Sequence, residues 1–118
     1  MKLLIVDDNA TIRRLIADIV LPLAGEIRQC ADGETAVSEY RSHKPDFVLM
    51  DIRMREMDGL EATKRIRAAD PSARIVIVTN YDDDALRQAA IGVGACGYVL
   101  KDRLLDLVGT LEGLEAKG

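Results

Sequence analysis

Five short β-rich runs alternate with longer segments of helical period along the whole chain, and this alternation constrains the fold more than any other feature. The strand candidates are Lys2–Asp7 (KLLIVD), Glu26–Ala31 (EIRQCA), Asp46–Asp51 (DFVLMD), Arg74–Thr79 (RIVIVT) and Cys96–Leu100 (CGYVL). The first, third and fourth are nearly continuous aliphatics, the pattern of strands covered on both faces of a parallel sheet. The second is more polar and belongs at an edge. Between them, Ile12, Leu15, Ile16, Ile19, Val20 and Leu23 form an amphipathic stripe with Asn9 as its N-cap. Gly33–Ser42 and Gly59–Ala69 supply the next two helices, closed near Pro45 and Pro71. Asp82, Asp83 and Asp84 open a fourth helix through Ala90, and Leu104, Leu107, Val108 and Leu111 mark a fifth. Strict βα alternation over five units predicts an α/β domain: a doubly wound, five-stranded parallel sheet with right-handed crossovers and helices on both faces.

A chain of 118 residues suits one domain with a single core. Its formal net charge of −4 argues against nucleic-acid binding by these residues alone, because phosphate backbones select for a Lys/Arg surplus. No apolar run approaches the ~18 residues of a membrane span, and no signal-peptide pattern opens the chain, so a cytoplasmic protein without membrane contact is expected. Cys30 and Cys96 lie far apart with no C-x-x-C spacing. They read as small buried hydrophobes in a reducing compartment.

In open sheets of this kind, ligands bind beyond the carboxyl ends of the strands, where the strand order reverses. For the order 2-1-3-4-5 that point lies between the first and third strands. Asp7 and Asp8 end the first strand, Asp51 the third and Thr79 the fourth, while the fifth runs into Lys101. Singly, each has an ordinary reading: the Asp pair as a helix cap, Asp51 as a turn residue, Thr79 as a strand terminus, Lys101 as a solvated lysine. Caps need no third carboxylate on a neighbouring strand and no lysine at the same rim. Two carboxylates about 4 Å apart repel by roughly 4 kcal/mol at the effective dielectric of a protein surface. A hard divalent cation that keeps several waters, Mg2+, relieves that repulsion. Cation, ammonium and hydroxyl together can hold a phosphoryl group. A carboxylate can be the nucleophile of such a site by forming an acyl phosphate, and Asp51 sits centrally among the five.

Four blocks, LLIVDDN, VLMDIRMREMDG (Val48–Gly59), IVIVTN (Ile75–Asn80) and GACGYVLKD (Gly94–Asp102), resemble the signature blocks of response-regulator receiver domains from bacterial two-component signalling. They occur in order over essentially the whole chain. The resemblance implies a flavodoxin-like (βα)5 receiver fold over residues 1–118. It implies a phosphorylated signalling domain rather than an enzyme, one able to catalyse its own phosphorylation from small phosphodonors and its own dephosphorylation. Asp51 would be the phosphoacceptor, served by a sensor histidine kinase. Asp8, Asp51 and the backbone carbonyl of Arg53 would ligate Mg2+, with Asp7 acting through water. Lys101 would pair with the phosphoryl group, Thr79 and Tyr98 would form the switch, and the side chains of Arg53 and Tyr81 would modulate hydrolysis. The output face would be built from the fourth helix, fifth strand and fifth helix. Homodimerisation on phosphorylation is compatible with this class, and DNA would be reached only through a separate output domain.

Two positions depart from the family pattern. Arg55 stands where a proline is usual, which removes a φ restraint and adds a cation near the site. Asp102 replaces a second frequent proline, and GYVLKD is closer to the subfamily in which a helix-turn-helix domain follows the receiver. The chain is therefore expected to be a receiver excised from a longer transcription factor, or else a stand-alone receiver. A degenerate receiver that binds partners without phosphorylation is the main alternative. A haloacid-dehalogenase phosphatase needs a second Asp two residues after the first, where this chain has Asn9. A flavodoxin-like electron carrier needs a Ser/Thr/Gly loop after the first strand, and this loop is acidic. Of the remaining residues, His43 reads as a solvated helix-terminal residue, and Met50, Met54 and Met57 as packing residues. Arg13 and Arg14 read equally as a solvated helix face or as kinase contacts.

Overall fold

The five aliphatic runs become β1 (Lys2–Val6), β2 (Glu26–Cys30), β3 (Phe47–Met50), β4 (Ile75–Thr79) and β5 (Gly97–Leu100) in the computed structural model, which describes residues 1–117. Every pairing is parallel, in the order β2-β1-β3-β4-β5. The helices are α1 (Ala10–Val20), α2 (Gly33–His43), α3 (Gly59–Ala69), α4 (Asp84–Gly92) and α5 (Asp106–Ala116), with 3-10 turns at Leu21–Leu23 and Lys101–Arg103. No described helix is long and apolar enough to cross a membrane.

The continuous aliphatic character of β1, β3 and β4 has a direct cause. Successive strand residues point to opposite faces, and here both faces are covered. Leu3, Ile5, Phe47, Leu49, Val76 and Val78 pack with Ile16 and Val20 of α1 and with Leu107 and Leu111 of α5. Their alternates Leu4, Val6, Val48, Met50, Ile75 and Ile77 pack with Ala36 and Tyr40 of α2, Ala62 and Ile66 of α3, and Ala90 of α4. β2 is an edge strand, and its Arg28 and Gln29 are exposed, in keeping with its polar sequence.

Side-chain caps fix where four helices begin. Asn9 Oδ1 accepts from the N–H groups of Thr11 and Ile12, and Asp32, Asp58 and Asp83 accept from those of Thr35, Glu61 and Leu86. Each such cap is worth about 1 kcal/mol. Two of them, Asn9 and Asp58, also set how the chain leaves β1 and re-enters after β3.

Three sequence expectations need correction. His43 is buried, not solvated: it is the last residue of α2, and its Nδ1 lies 3.0 Å from Glu26 Oε2 at the start of the β2 edge. Cys30 is buried, and that burial together with the Asp32 charge pushes its thiol up to about 12. Cys96 is instead exposed, because it precedes the outer strand β5. Leu15 lies on the apolar stripe of α1 yet is exposed; only Ile16 and Val20 of that stripe are fully buried. Met50 is buried, and Met54 and Met57 pack half-buried against the same core, as their packing role requires.

Candidate functional site

Each strand is one or two residues shorter than its apolar run, so the acidic residues stand just past the paired region. The backbone ladder still holds them: Asp7 N–H donates to the Cys30 carbonyl at 3.2 Å, and Asp51 N–H donates to the Val6 carbonyl at 2.9 Å. Asp7 and Asp51 are thereby placed side by side at the reversal point between β1 and β3. The carboxylates of Asp7, Asp8 and Asp51 each offer an oxygen within 4.8 Å of the others. Asp7 is 1% exposed and Asp51 6%, whereas Asp8 faces solvent.

Lys101 enters from the end of β5. Its Nζ lies 2.7 Å from Asp7 Oδ2 and 3.3 Å from Asp51 Oδ1, with the side chain only 9% exposed. Three carboxylates against one ammonium leave the cluster short of two positive charges. The consequences appear in the titration. Burial, reinforced by the Asp7 charge, pushes the Asp51 carboxyl up to about 6, against the opposing pull of Lys101 and the Ile52 N–H. Burial pulls on Lys101 in the direction of deprotonation, but Asp7 and Asp51 outweigh it and hold the ammonium above its ordinary range.

The residues present fit a hard divalent cation. Asp7 Oδ1 accepts from the Asn9 N–H at 2.8 Å and the buried Oδ2 pairs with the Lys101 ammonium at 2.7 Å, which Asp51 shares, while Asp8 has no ion-pair partner among the described residues. Three clustered carboxylates served by one ammonium repel one another, a cost that a divalent cation would recover. The donor set is all oxygen, which suits Mg2+ better than a softer metal.

Thr79, fully buried at the end of β4, is not drawn into the ion cluster; its Oγ1 accepts from the Tyr81 N–H at 3.2 Å. Tyr98 is half-buried on β5, and its hydroxyl donates to the Tyr81 carbonyl at 2.7 Å while the Arg87 guanidinium lies 4.4 Å from its ring centroid. Arg53 is exposed in the loop after β3, its guanidinium 5.1 Å from the Tyr81 ring centroid. The predicted switch and modulating residues therefore meet at Tyr81, one strand away from the carboxylates.

Three positioning features carry no local sequence signal strong enough to reveal their task. Arg13 is neither free nor fully solvated, since its Nη1 donates to the Asp7 backbone carbonyl at 2.6 Å; Arg14 is exposed. The Asn9 backbone N–H holds Asp7, in addition to the cap its side chain makes. Gly59 starts α3 so close to the phosphoacceptor candidate that a Cβ there would lie 1.8 Å from the Asp51 carbonyl oxygen. The glycine directly after the Asp58 cap is the one hint the sequence offers.

This fold and rim match known proteins. Residues 3–111 match the response regulator receiver domain model. Chemotaxis protein CheY of Bacillus subtilis is 38% identical over 112 residues, covering 91% of this chain and 93% of that protein. The crystal structure of a two-component response regulator of the LuxR family from Aurantimonas sp. superposes with a TM-score of 0.92 at 33% identity, over 98% of this chain and 85% of that one. The CheX–CheY–BeF3–Mg2+ complex from Borrelia burgdorferi superposes with a TM-score of 0.88 at 25% identity, over 98% and 89% of the two chains. The chain belongs to the response regulator receiver domain family, the receiving half of two-component signalling. The family's acidic cluster is present here as Asp7, Asp8 and Asp51.

Proposed function

We propose that this receiver domain accepts a phosphoryl group on Asp51 from the phosphohistidine of a sensor histidine kinase, in a Mg2+-dependent reaction. The observation that carries this reading is Lys101 Nζ standing between Asp7 and Asp51, a single buried ammonium set against three clustered carboxylates. A cap or a surface ion pair would not bury an ammonium and two carboxylates together at a strand-order reversal. The BeF3 and Mg2+ in the Borrelia CheY complex give the reading independent support, in a relative of the same fold.

Asp8, Asp51 and the Arg53 backbone carbonyl are the direct cation ligands of this proposal, with Asp7 acting through water. When bound, Mg2+ supplies positive charge to phosphoryl oxygens. Asp51 provides the attacking oxygen, and Asp7 orients Lys101, which is the fixed positive charge awaiting the phosphoryl group. Thr79 is the hydroxyl donor: its Oγ1 serves in the structure only as an acceptor, so its O–H is free to turn to a new anion. Because Thr79 and Tyr98 both bond through Tyr81, a turn of Thr79 loosens or remakes the Tyr98 contact and carries the event to the α4–β5–α5 face. Carrying such a surface from 1:99 to 99:1 requires about 5.5 kcal/mol of difference between states, the order that a few charge-assisted hydrogen bonds supply. Arg53 and Tyr81 flank the site and tune hydrolysis. The output includes transcription through a DNA-binding domain, a reading supported by the DNA-binding response regulator of the LuxR family from Staphylococcus aureus, which superposes with a TM-score of 0.86 at 27% identity; homodimerisation on phosphorylation accompanies it. A cytoplasmic setting follows from a kinase partner of this class.

Incubation with Mg2+ and acetyl phosphate, read by intact mass, tests the core of this reading. A labile single-phosphate adduct is expected in the unmodified chain and none in Asp51→Asn. No adduct on the unmodified chain would leave a degenerate, phosphorylation-independent receiver as the better account.

A further inference from the structure

Asp8 stands apart from the other two carboxylates of the cluster. Asp7 is held by the Asn9 N–H and Lys101, and Asp51 by the Ile52 N–H and Lys101. The exposed Asp8 side chain has no hydrogen bond and no ion pair among the described residues, yet one of its oxygens lies within 4.8 Å of those of Asp7 and Asp51. Its place in the cluster therefore depends on the backbone that carries it. That backbone is the Asp7–Asp8 peptide, just beyond β1. The Asp7 N–H still donates to the Cys30 carbonyl at 3.2 Å, but β2 ends at Cys30, and the Asp7 carbonyl accepts instead from Arg13 Nη1 at 2.6 Å. A peptide unit is planar, so a donor that fixes this oxygen also fixes the plane holding the Asp8 N–H and Cα, from which the carboxylate departs. Arg13 itself is half-buried, and it makes no ion pair among the described residues. Its Nε is buried without a hydrogen-bond partner. Burying an unpaired donor costs free energy, so this is not a side chain lying idle on a solvated helix face.

We propose that Arg13 is a positioning residue of the cation site: by anchoring the Asp7–Asp8 peptide it holds the Asp8 carboxylate within reach of the ion that Asp51 shares. The inference rests on Asp8 being a direct cation ligand and adds what keeps that exposed carboxylate in place. Arg13 acts through the carbonyl and not as a ligand, the part that groups behind a metal's ligands play when they fix a ligand's direction. Its charge alone would have the opposite effect. A guanidinium near the cluster repels a divalent cation, so removing the charge tightens binding, whereas losing the anchor weakens it. The sign of the change therefore separates the two roles.

Calorimetric titration of the unphosphorylated chain with Mg2+ alone tests this, and with no kinase or phosphodonor present, docking contacts of α1 do not enter. Arg13→Met keeps the length of the side chain and removes its donors; it weakens Mg2+ binding about tenfold, the low end of what a partner that orients a metal ligand contributes. Arg13→Lys, which keeps a charged donor, restores most of the affinity. In an Asp8→Asn background the Arg13→Met loss disappears, because its route through Asp8 is already gone. Unchanged or tighter Mg2+ binding in Arg13→Met, or the same loss with and without Asp8, would overturn the positioning role. So would a variant that unfolds at lower urea in EDTA yet binds Mg2+ as tightly as the unmodified chain, since Arg13 would then be a structural contact only. Mg2+ binding unaltered in Asp8→Asn by itself would instead remove the ligand reading, and this inference with it.

Discussion

Asp51 is held at an energetic cost that a single substitution should release. Its carboxyl is 6% exposed and pushed up to about 6 by burial and by the Asp7 charge, against an ordinary value of 3.8. That difference corresponds to about 3 kcal/mol of penalty on the ionised form in the metal-free fold. The sign follows from linkage: the folded state binds this proton more tightly than the unfolded chain does. The penalty is therefore fully present above about pH 7 and fades as the pH falls through 6 towards 4. Asp51→Asn keeps an oxygen for the Ile52 N–H, which now bonds Asp51 Oδ1 at 2.9 Å, and removes the charge. It gives up one contact of Lys101, which retains Asp7 at 2.7 Å. We expect the variant to be about 1–3 kcal/mol more stable than the unmodified chain at pH 7.5 in EDTA, or roughly 4–12 °C in Tm. Urea unfolding across pH 4 to 8 measures it. The gap should close near pH 4 and narrow when Mg2+ is added. A variant less stable at pH 7.5, or a gap that does not change with pH, would refute the idea that the acidic cluster strains the metal-free fold.

The same geometry fixes three further outcomes. Gly59→Ala places a Cβ against the Asp51 carbonyl and should cost about 3 kcal/mol or more by urea unfolding, with loss of the phosphate adduct; a near-neutral result would mean that the start of α3 shifts freely. Lys101→Ala strips Asp7 and Asp51 of their ammonium, so its metal-free form should melt lower, and calorimetric titration should show Mg2+ binding at least as tight as in the unmodified chain. Weaker Mg2+ binding there would count against a cation-starved cluster. Asn9→Ala removes the acceptor for the Thr11 and Ile12 N–H groups and should cost about 1 kcal/mol by urea unfolding, without altering the Arg13 contact to Asp7.

Much of this was legible because burial on two faces writes itself into strand composition. Leu3, Leu4, Ile5 and Val6 alternate between two cores, so every position is apolar, and the polar β2 sits at the sheet edge. The rim was legible because topology alone brings the ends of β1, β3 and β5 together, although Asp7 and Lys101 are far apart in sequence. What stayed hidden depends on partners that local patterning does not specify. His43 looked solvated among polar neighbours, yet the end of α2 folds back onto the β2 edge, where Glu26 receives it. Arg13 looked like a surface residue of α1, but one turn of helix after the Asn9 cap swings its guanidinium back to the Asp7 carbonyl. Cys96 looked buried on composition, whereas its place before an outer strand leaves it exposed. Gly59 reads as a helix start in the sequence, and its closeness to Asp51 depends on how α3 follows the β3 loop.

The claim that organises these observations is that Asp51 is the residue that carries the phosphoryl group. Phosphorylation with acetyl phosphate and Mg2+, followed by borohydride reduction and peptide mapping, locates the acyl phosphate directly. Conversion of residue 51 to homoserine, absent when Mg2+ is withheld, is the predicted result. Reduction at Asp7, Asp8 or any other carboxylate, or none in a chain that has gained phosphate, would contradict it.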